Sequence, residues 1–273
     1  MLWEEIINSS KIRNLTTKQT FQEEVQKTIL TYLSQKEAFN QIVFQGGTSL
    51  RFFYGNPRFS EDLDFVLKKE EDKINLIEKT SKIQTFITNI YPFIEKIKIS
   101  SQKKDQDMQR LILKTISDMP EQNLRIHLEL AHIPSYHNQP KILNHPPFNP
   151  AIRVEEISEI LADKITALGL RTYIKGRDLW DIYFITVEKN ISVPWKLVFQ
   201  KVKDYKNTPS EFEEKLQTKN KKIKKNGISI LTSEMQRFLP KTLLDQYEQE
   251  FNNIVSHVAK IVEQVKKVKK DEG

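Results

Sequence analysis

Two aspartates one residue apart, Asp62 and Asp64, lie at the far end of a stretch that opens on the glycine pair Gly46-Gly47. If Glu61 to Leu67 is an alternating strand, both carboxylates leave one face while Leu63 and Phe65 enter a core. Carboxylates forced together repel and raise each other's pKa unless cations sit between them. A pair of Mg²⁺ ions would relieve that repulsion, because Mg²⁺ is held by one or two carboxylates together with phosphate oxygens. Two such ions can activate an attacking hydroxyl and stabilise a leaving phosphate. Gly46 and Gly47 precede a segment of helical spacing, where backbone N–H groups and a helix N-terminus can approach a triphosphate closely. The plainer alternative for the acidic pair is the solvent face of an edge strand.

The surrounding sequence supplies elements that would hold these residues in place. Two apolar-periodic helical segments between Trp3 and Gln35 are separated by Asn14 to Thr17. A short apolar run, Gln41 to Phe44, reads as a buried strand ending at the glycines, and Thr48 to Tyr54 as a helix stopped by Gly55-Asn56-Pro57. A helix over Lys73 to Asn89 and strands over Phe93 to Ser100, Met108 to Ile116 and Asn123 to Ala131 follow. Pro134 to Pro150 holds five prolines without periodicity and is expected to be a loop at a domain boundary. Beyond Val154 the pattern is helical, over 156–174, 178–188, 194–206, 210–225 and 241–268.

The pattern Gly46-Gly47-Thr48 followed by Arg58-x-Ser60-x-Asp62-x-Asp64-Phe65 resembles the signature of DNA-polymerase-β-like nucleotidyltransferases, and in this extended form that of the AbiEii/AbiGii toxin family. A second block matches in the same order: Lys164 to Arg171, then Gly176-Arg177-Asp178-Leu179-Trp180-Asp181, which resembles the family's downstream lysine and RDxxD motifs. The resemblance spans about half the chain. It implies an α+β fold, a mixed β-sheet flanked by helices and followed by a C-terminal helical bundle, with a nucleotidyltransferase domain over 1–150 and a helical domain over 151–273 that completes the cleft. It also implies metal binding by Asp62 and Asp64 and nucleotide contacts from Gly46, Gly47, Thr48, Arg58, Ser60, Lys164, Arg171 and Arg177. Asp62, Asp64, Lys164 and Asp178 are the implied catalytic group, Asp178 as a catalytic or lysine-orienting residue. The family pattern carries a third acidic residue on a later strand. Glu129 is the candidate, its strand alternating Arg125, His127 and Glu129 on one face with Ile126, Leu128 and Leu130 on the other; a shift in register would put His127 in that place.

Read without the resemblance, Arg177 and Asp181 are an ordinary i,i+4 pair, Lys164 a surface lysine and Arg58 a turn residue. Trp3, Trp180 and Trp195 are most simply core anchors. The histidines show no metal-ligand spacing, and the absence of cysteine rules out disulfides and thiolate sites, leaving a hard ion, Mg²⁺ or Mn²⁺. Lys189 onward carries eighteen Lys and Arg against eleven Asp and Glu, the whole net excess of +7. Such a tail, densest at Lys219 to Lys225, would attract a polyanion such as RNA, although a solvated lysine-rich surface looks the same in sequence. No apolar run is long enough to span a membrane and no leader pattern is present, so a soluble, cytoplasmic protein is expected. The family resemblance implies transfer of a nucleoside monophosphate from an NTP to an acceptor hydroxyl, the 3′ end of tRNA, by a toxin paired with a separately encoded antitoxin. Modification of a protein or a small molecule such as an antibiotic, and non-catalytic RNA binding on the same scaffold, are the alternatives.

Overall fold

The computed structural model describes residues 1–271, with side chains described through Val265. Lysines 266, 267, 269 and 270 of the expected basic tail therefore lie outside the described side chains, and residues 272–273 outside the described chain. The Cα packing divides the chain into two units. One comprises Met1–Gly55 and Phe59–Glu155; the other comprises Asn56–Arg58 and Glu156 onward.

The first unit begins with α1 (Trp3–Arg13), whose early Glu4 and Glu5 and late Lys11 and Arg13 complement the helix dipole. Asn14, at φ 52°, ends it. Thr16 then opens α2 (Thr17–Gln35) with a reciprocal capping box to Gln19, both bonds 3.1 Å. β1 (Ile42–Gln45), α3 (Gly46–Tyr54) and β2 (Leu63–Leu67) follow, then α4 (Thr80–Ile90), shorter than the expected helix because Lys73 to Asn75 form a loop and Ile77–Lys79 a 3₁₀ turn. β3 (Lys96–Lys104), β4 (Met108–Ile116), β5 (Arg125–Pro134), β6 (Asn138–Ile142) and β7 (Ala151–Glu155) complete a seven-stranded sheet in the order β3-β4-β5-β2-β1-β7-β6. β1 runs antiparallel to β2 and parallel to β7, and β2 runs parallel to β5, so the sheet is mixed.

The Pro134 to Pro150 segment, expected to be loop throughout, contains β6. Pro140 has no N–H to give, and β6 sits at the sheet edge, bonded only to β7 among the described strands. On the opposite side from the acidic pair, Phe44, Leu63, Phe65, Leu128 and Leu130 pack with Phe21, Val25 and Ile29 of α2 and with Ile83 and Ile87 of α4. Each of these is essentially inaccessible to water, so α2 and the sheet form the rigid base on which the acidic row stands.

The second unit is helical: α5 (Ile157–Leu170), α6 (Gly176–Tyr183), α7 (Trp195–Asp204), α8 (Pro209–Phe238), α9 (Lys241–Tyr247) and α10 (Phe251–Asp271). A π-helical turn, Phe184–Glu188, extends α6. α8 runs on to Phe238, past the expected end at residue 225. Gly227 is a crossing point rather than a terminus, since a Cβ there would lie 2.8 Å from Val255 Cγ1 on α10. The expected last helix is instead two, parted at Glu248–Glu250.

Candidate active site

In the first unit the register of four strands brings the acidic residues into line. Gln45 faces Asp64 across β1 and β2, Asp64 faces Glu129 across β2 and β5, and Glu129 faces Arg110 across β5 and β4. His127, two residues before Glu129, meets Asp62 instead, its Nδ1 2.9 Å from Oδ1. The expected alternation therefore stands, with Leu128 and Leu130 in the core and His127 and Glu129 half-buried on the aspartate face. Of the two candidates, Glu129 is the acidic neighbour of Asp64, and His127 a neighbour of Asp62. Arg110 had no motif to mark it; only the cross-strand register reveals it. Its Nη2 donates to Glu129 Oε2 at 3.1 Å and its Nε lies 2.9 Å from Oε1, an ion pair that positions the carboxylate.

Gly46 explains the first glycine of the pair. Its φ is 81°, and a Cβ built on it would come within 2.6 Å of Asp64 Oδ2 and 3.2 Å of Asp64 Cβ. Only glycine tolerates both the backbone conformation and the carboxylate pressed against it. Gly47, Thr48 and Ser49 follow as buried residues in the first turn of α3. Glu23, 1 % exposed on α2, pairs with Arg51 on α3 and so ties that helix down.

The segment leading into Asp62 is irregular, yet three successive carbonyls are captured by side chains. Gln26 Nε2 donates to Ser60 O at 3.1 Å, Gln22 Nε2 to Glu61 O at 3.1 Å, and the Thr48 hydroxyl to Asp62 O. Gln22 and Gln26, one turn apart on α2, are 5 % and 0 % exposed. They replace the ladder bonds that a regular strand would supply and hold the approach to Asp62 in one shape. Ser60 and Thr48, expected to contact phosphate, are buried parts of this clamp. A hard divalent ion suits the donors here: carboxylate oxygens on adjacent strands, with one carboxylate pressed close to a glycine backbone.

The second motif block forms its own network in the second unit. Asp181, fully buried, takes Arg58 Nε on Oδ1 and Arg58 Nη2 on Oδ2, both at 2.6 Å, and Asn56 Nδ2 at 2.9 Å. Trp180 Nε1 donates to Asn56 Oδ1 at 3.0 Å. Lys164 Nζ sits 2.8 Å from Asp181 Oδ2 and 3.2 Å from Asp178 Oδ1, and Arg171 also pairs with Asp178. Lys164 is thus oriented by both aspartates of the RDxxD motif. Arg58, expected to contact the nucleotide, is 2 % exposed and places two of its donors on Asp181. Arg177 does not pair with Asp181; its backbone N–H and Nε reach Glu234 Oε2 at 3.0 and 3.3 Å. Burial would push the Asp178 and Asp181 carboxyls up, but Lys164 with Arg171, and Arg58 with Lys164, outweigh it and hold both below the usual range. Lys175, at the N-cap of α6, is lowered by burial and by Arg171 and Arg177. This cationic crowding would be relieved by an anion. Elsewhere in this unit Glu159 and Asp163 already share buried Lys201, at 2.5 and 3.2 Å.

Along the basic segment, Lys219 is spent on structure, donating to Thr172 O at 2.6 Å, and Lys224 pairs with Glu263 at 2.5 Å. Lys221, Lys222 and Lys225 are exposed. Among the described residues no helix is long and apolar enough to cross a membrane.

Among solved structures the fold is similar to that of a Helicobacter pylori protein described as a nucleotidyltransferase. The two share 20 % identity with a TM-score of 0.56, over 93 % of this chain and 99 % of that one. JHP933 from Helicobacter pylori, also 20 % identical, matches over 93 % and 94 % with a TM-score of 0.53. MenT4, a nucleotidyltransferase toxin from Mycobacterium tuberculosis, is 22 % identical over 70 % and 68 %, with a TM-score of 0.49. Comparison with curated protein sequences gave no match. The likeness to the two Helicobacter structures establishes a nucleotidyltransferase-type α+β fold. Residues 28–257, which carry both motif blocks, match the model of the AbiEii nucleotidyl transferase toxins of type IV toxin–antitoxin systems, and the chain belongs to that family.

Proposed function

We propose that the protein transfers a nucleoside monophosphate from an NTP to the 3′-terminal hydroxyl of tRNA, with pyrophosphate leaving, and that this modification is its toxic act. The observation that carries the reading is the cross-strand row in which Asp64 stands between Gly46 and Glu129, with Asp62 held beside it by His127. Asp62, Asp64 and Glu129 are the residues that would hold Mg²⁺ or Mn²⁺. When bound, such an ion neutralises charge on the phosphates and acidifies the attacking hydroxyl. The chain's own contribution is positioning, which dominates phosphoryl-transfer catalysis. His127 and Arg110 fix two of the three carboxylates, and Gln22, Gln26 and Thr48 fix the backbone that delivers Asp62.

In this reading Lys164 and Arg171 contact the phosphates of the nucleotide, Asp178 and Asp181 orienting the lysine. The backbone N–H groups around Gly46 and Gly47 serve the triphosphate as well. Exposed Lys221, Lys222 and Lys225 favour an RNA acceptor over a neutral small molecule. Family membership supports a nucleotide substrate and an antitoxin counterpart. The test is incubation with each α-labelled NTP, Mg²⁺ and total tRNA. Label should enter tRNA and be abolished by prior periodate oxidation of the 3′-terminal diol. Label in the protein or small-molecule fraction alone would overturn the tRNA reading.

A further inference from the structure

We propose that the first unit carries a second anion site, separate from the acidic row, which binds a ligand bearing adjacent phosphate groups. A cavity of about 570 Å³ opens between the C-terminal end of α2, the Lys73 to Asn75 loop and the start of α4. That volume lies in the range of small-ligand sites. Four lysines converge on it from separate segments: Lys36 at the C-cap of α2, Lys73 in the loop, Lys79 in the 3₁₀ turn and Lys82 in the first turn of α4. Among the described residues none of the four has a carboxylate within ion-pair distance. The one acid in the lining, Glu78, accepts a 2.6 Å hydrogen bond from Asn75.

A convex lysine-rich surface keeps its ammonium groups apart in water. Here a concave wall gathers four of them on one cavity, where a multivalent anion can meet several at once. The wall is braced, because Gln41 Nε2 donates to Lys73 O at 3.0 Å and Tyr32 packs on Phe86 with ring centroids 5.5 Å apart. A neighbouring recess of about 370 Å³ shares Tyr32, Lys36 and Lys82 and adds Thr85 and Asn89, room for a ligand larger than a single phosphate. The site is not an extension of the acidic row. Gln41 adjoins the start of β1, whereas Gln45 at its end faces Asp64. α2 and α4 also cover the sheet face that holds Leu63 and Phe65, the reverse of the face that bears Asp62 and Asp64.

Isothermal titration of the full chain with inorganic tripolyphosphate, in EDTA so that metal-dependent binding is silent, tests the proposal. The combined Lys36→Gln, Lys73→Gln, Lys79→Gln and Lys82→Gln variant should lose at least tenfold in affinity for one class of sites, while the four Lys→Arg replacements retain it. A ten-nucleotide single-stranded RNA forms the second arm. If the phosphates are those of a polynucleotide, the Gln variant instead weakens RNA binding, and its slope of log K against log salt shrinks by about 3. A loss in either arm supports the site and names its source. Unchanged binding in both arms, with the variant folded by circular dichroism, overturns it.

Discussion

Replacing Asp181 with Asn would leave the Arg58 guanidinium without the carboxylate that it now grips through two 2.6 Å bonds. Arg58 is 2 % exposed and Asp181 fully buried, so water does not take over the lost charge. Lys164 keeps Asp178, at 3.2 Å, so the lost charge pairing falls chiefly on Arg58. Removing one partner of a buried pair costs about 3–5 kcal/mol, because the other is left charged in a dry site. With a urea dependence of about 3 kcal/mol/M, the unfolding midpoint should fall by about 1–1.7 M. Trp180, joined to the network through Asn56 at 3.0 Å, reports it by fluorescence. The double variant Arg58→Met with Asp181→Leu removes both charges and should cost less than Asp181→Asn alone. A shift below about 0.3 M for Asp181→Asn, or a double variant that loses the sum of the two singles, would refute the claim that Arg58 and Asp181 form a buried ion pair.

Gly46→Ala should leave the protein folded at a cost of about 1 kcal/mol for the left-handed backbone, while displacing the Asp64 carboxylate that lies 2.6 Å from the new methyl. Nucleotide transfer should fall at least tenfold, and full activity would contradict the placement of Asp64. Gln22→Ala and Gln26→Ala each strand a carbonyl in the segment before Asp62, costing about 1–3 kcal/mol and slowing transfer; a Gln26→Ala protein unchanged in both respects would discard the clamp. Asp178 and Asp181 have folded pKa values below that of an unfolded aspartate, about 3.9. Their contribution to stability is therefore complete above that value and lost as the pH falls through the lower folded values. The urea midpoint should drop steeply below about pH 4, and the Asp181→Asn protein should show a shallower drop.

The acidic pair was legible because strand alternation and the glycines stand within twenty residues of one another, and the same alternation correctly set His127 and Glu129 on one face of β5. Arg110 was not legible, since nothing local marks an arginine whose partner is nineteen residues away on another strand. Gln22 and Gln26 were hidden for a similar reason: polar residues on a buried helix face look like misplaced surface until the carbonyls they serve are known. Arg58 illustrates the converse. Its place in a motif pointed to phosphate, whereas its Nε and Nη2 donate to Asp181, more than a hundred residues on. The overrun of α8 past Gly227 came from tertiary packing against Val255, which outweighs the intrinsic helix-breaking tendency of glycine.

The most direct test of the central claim compares wild type with Asp64→Asn, each given labelled NTP, Mg²⁺ and total cellular RNA. The carboxylate row predicts label in RNA from the wild type and none above background from the variant. Equal labelling by the two proteins, or labelling that survives EDTA, would contradict it.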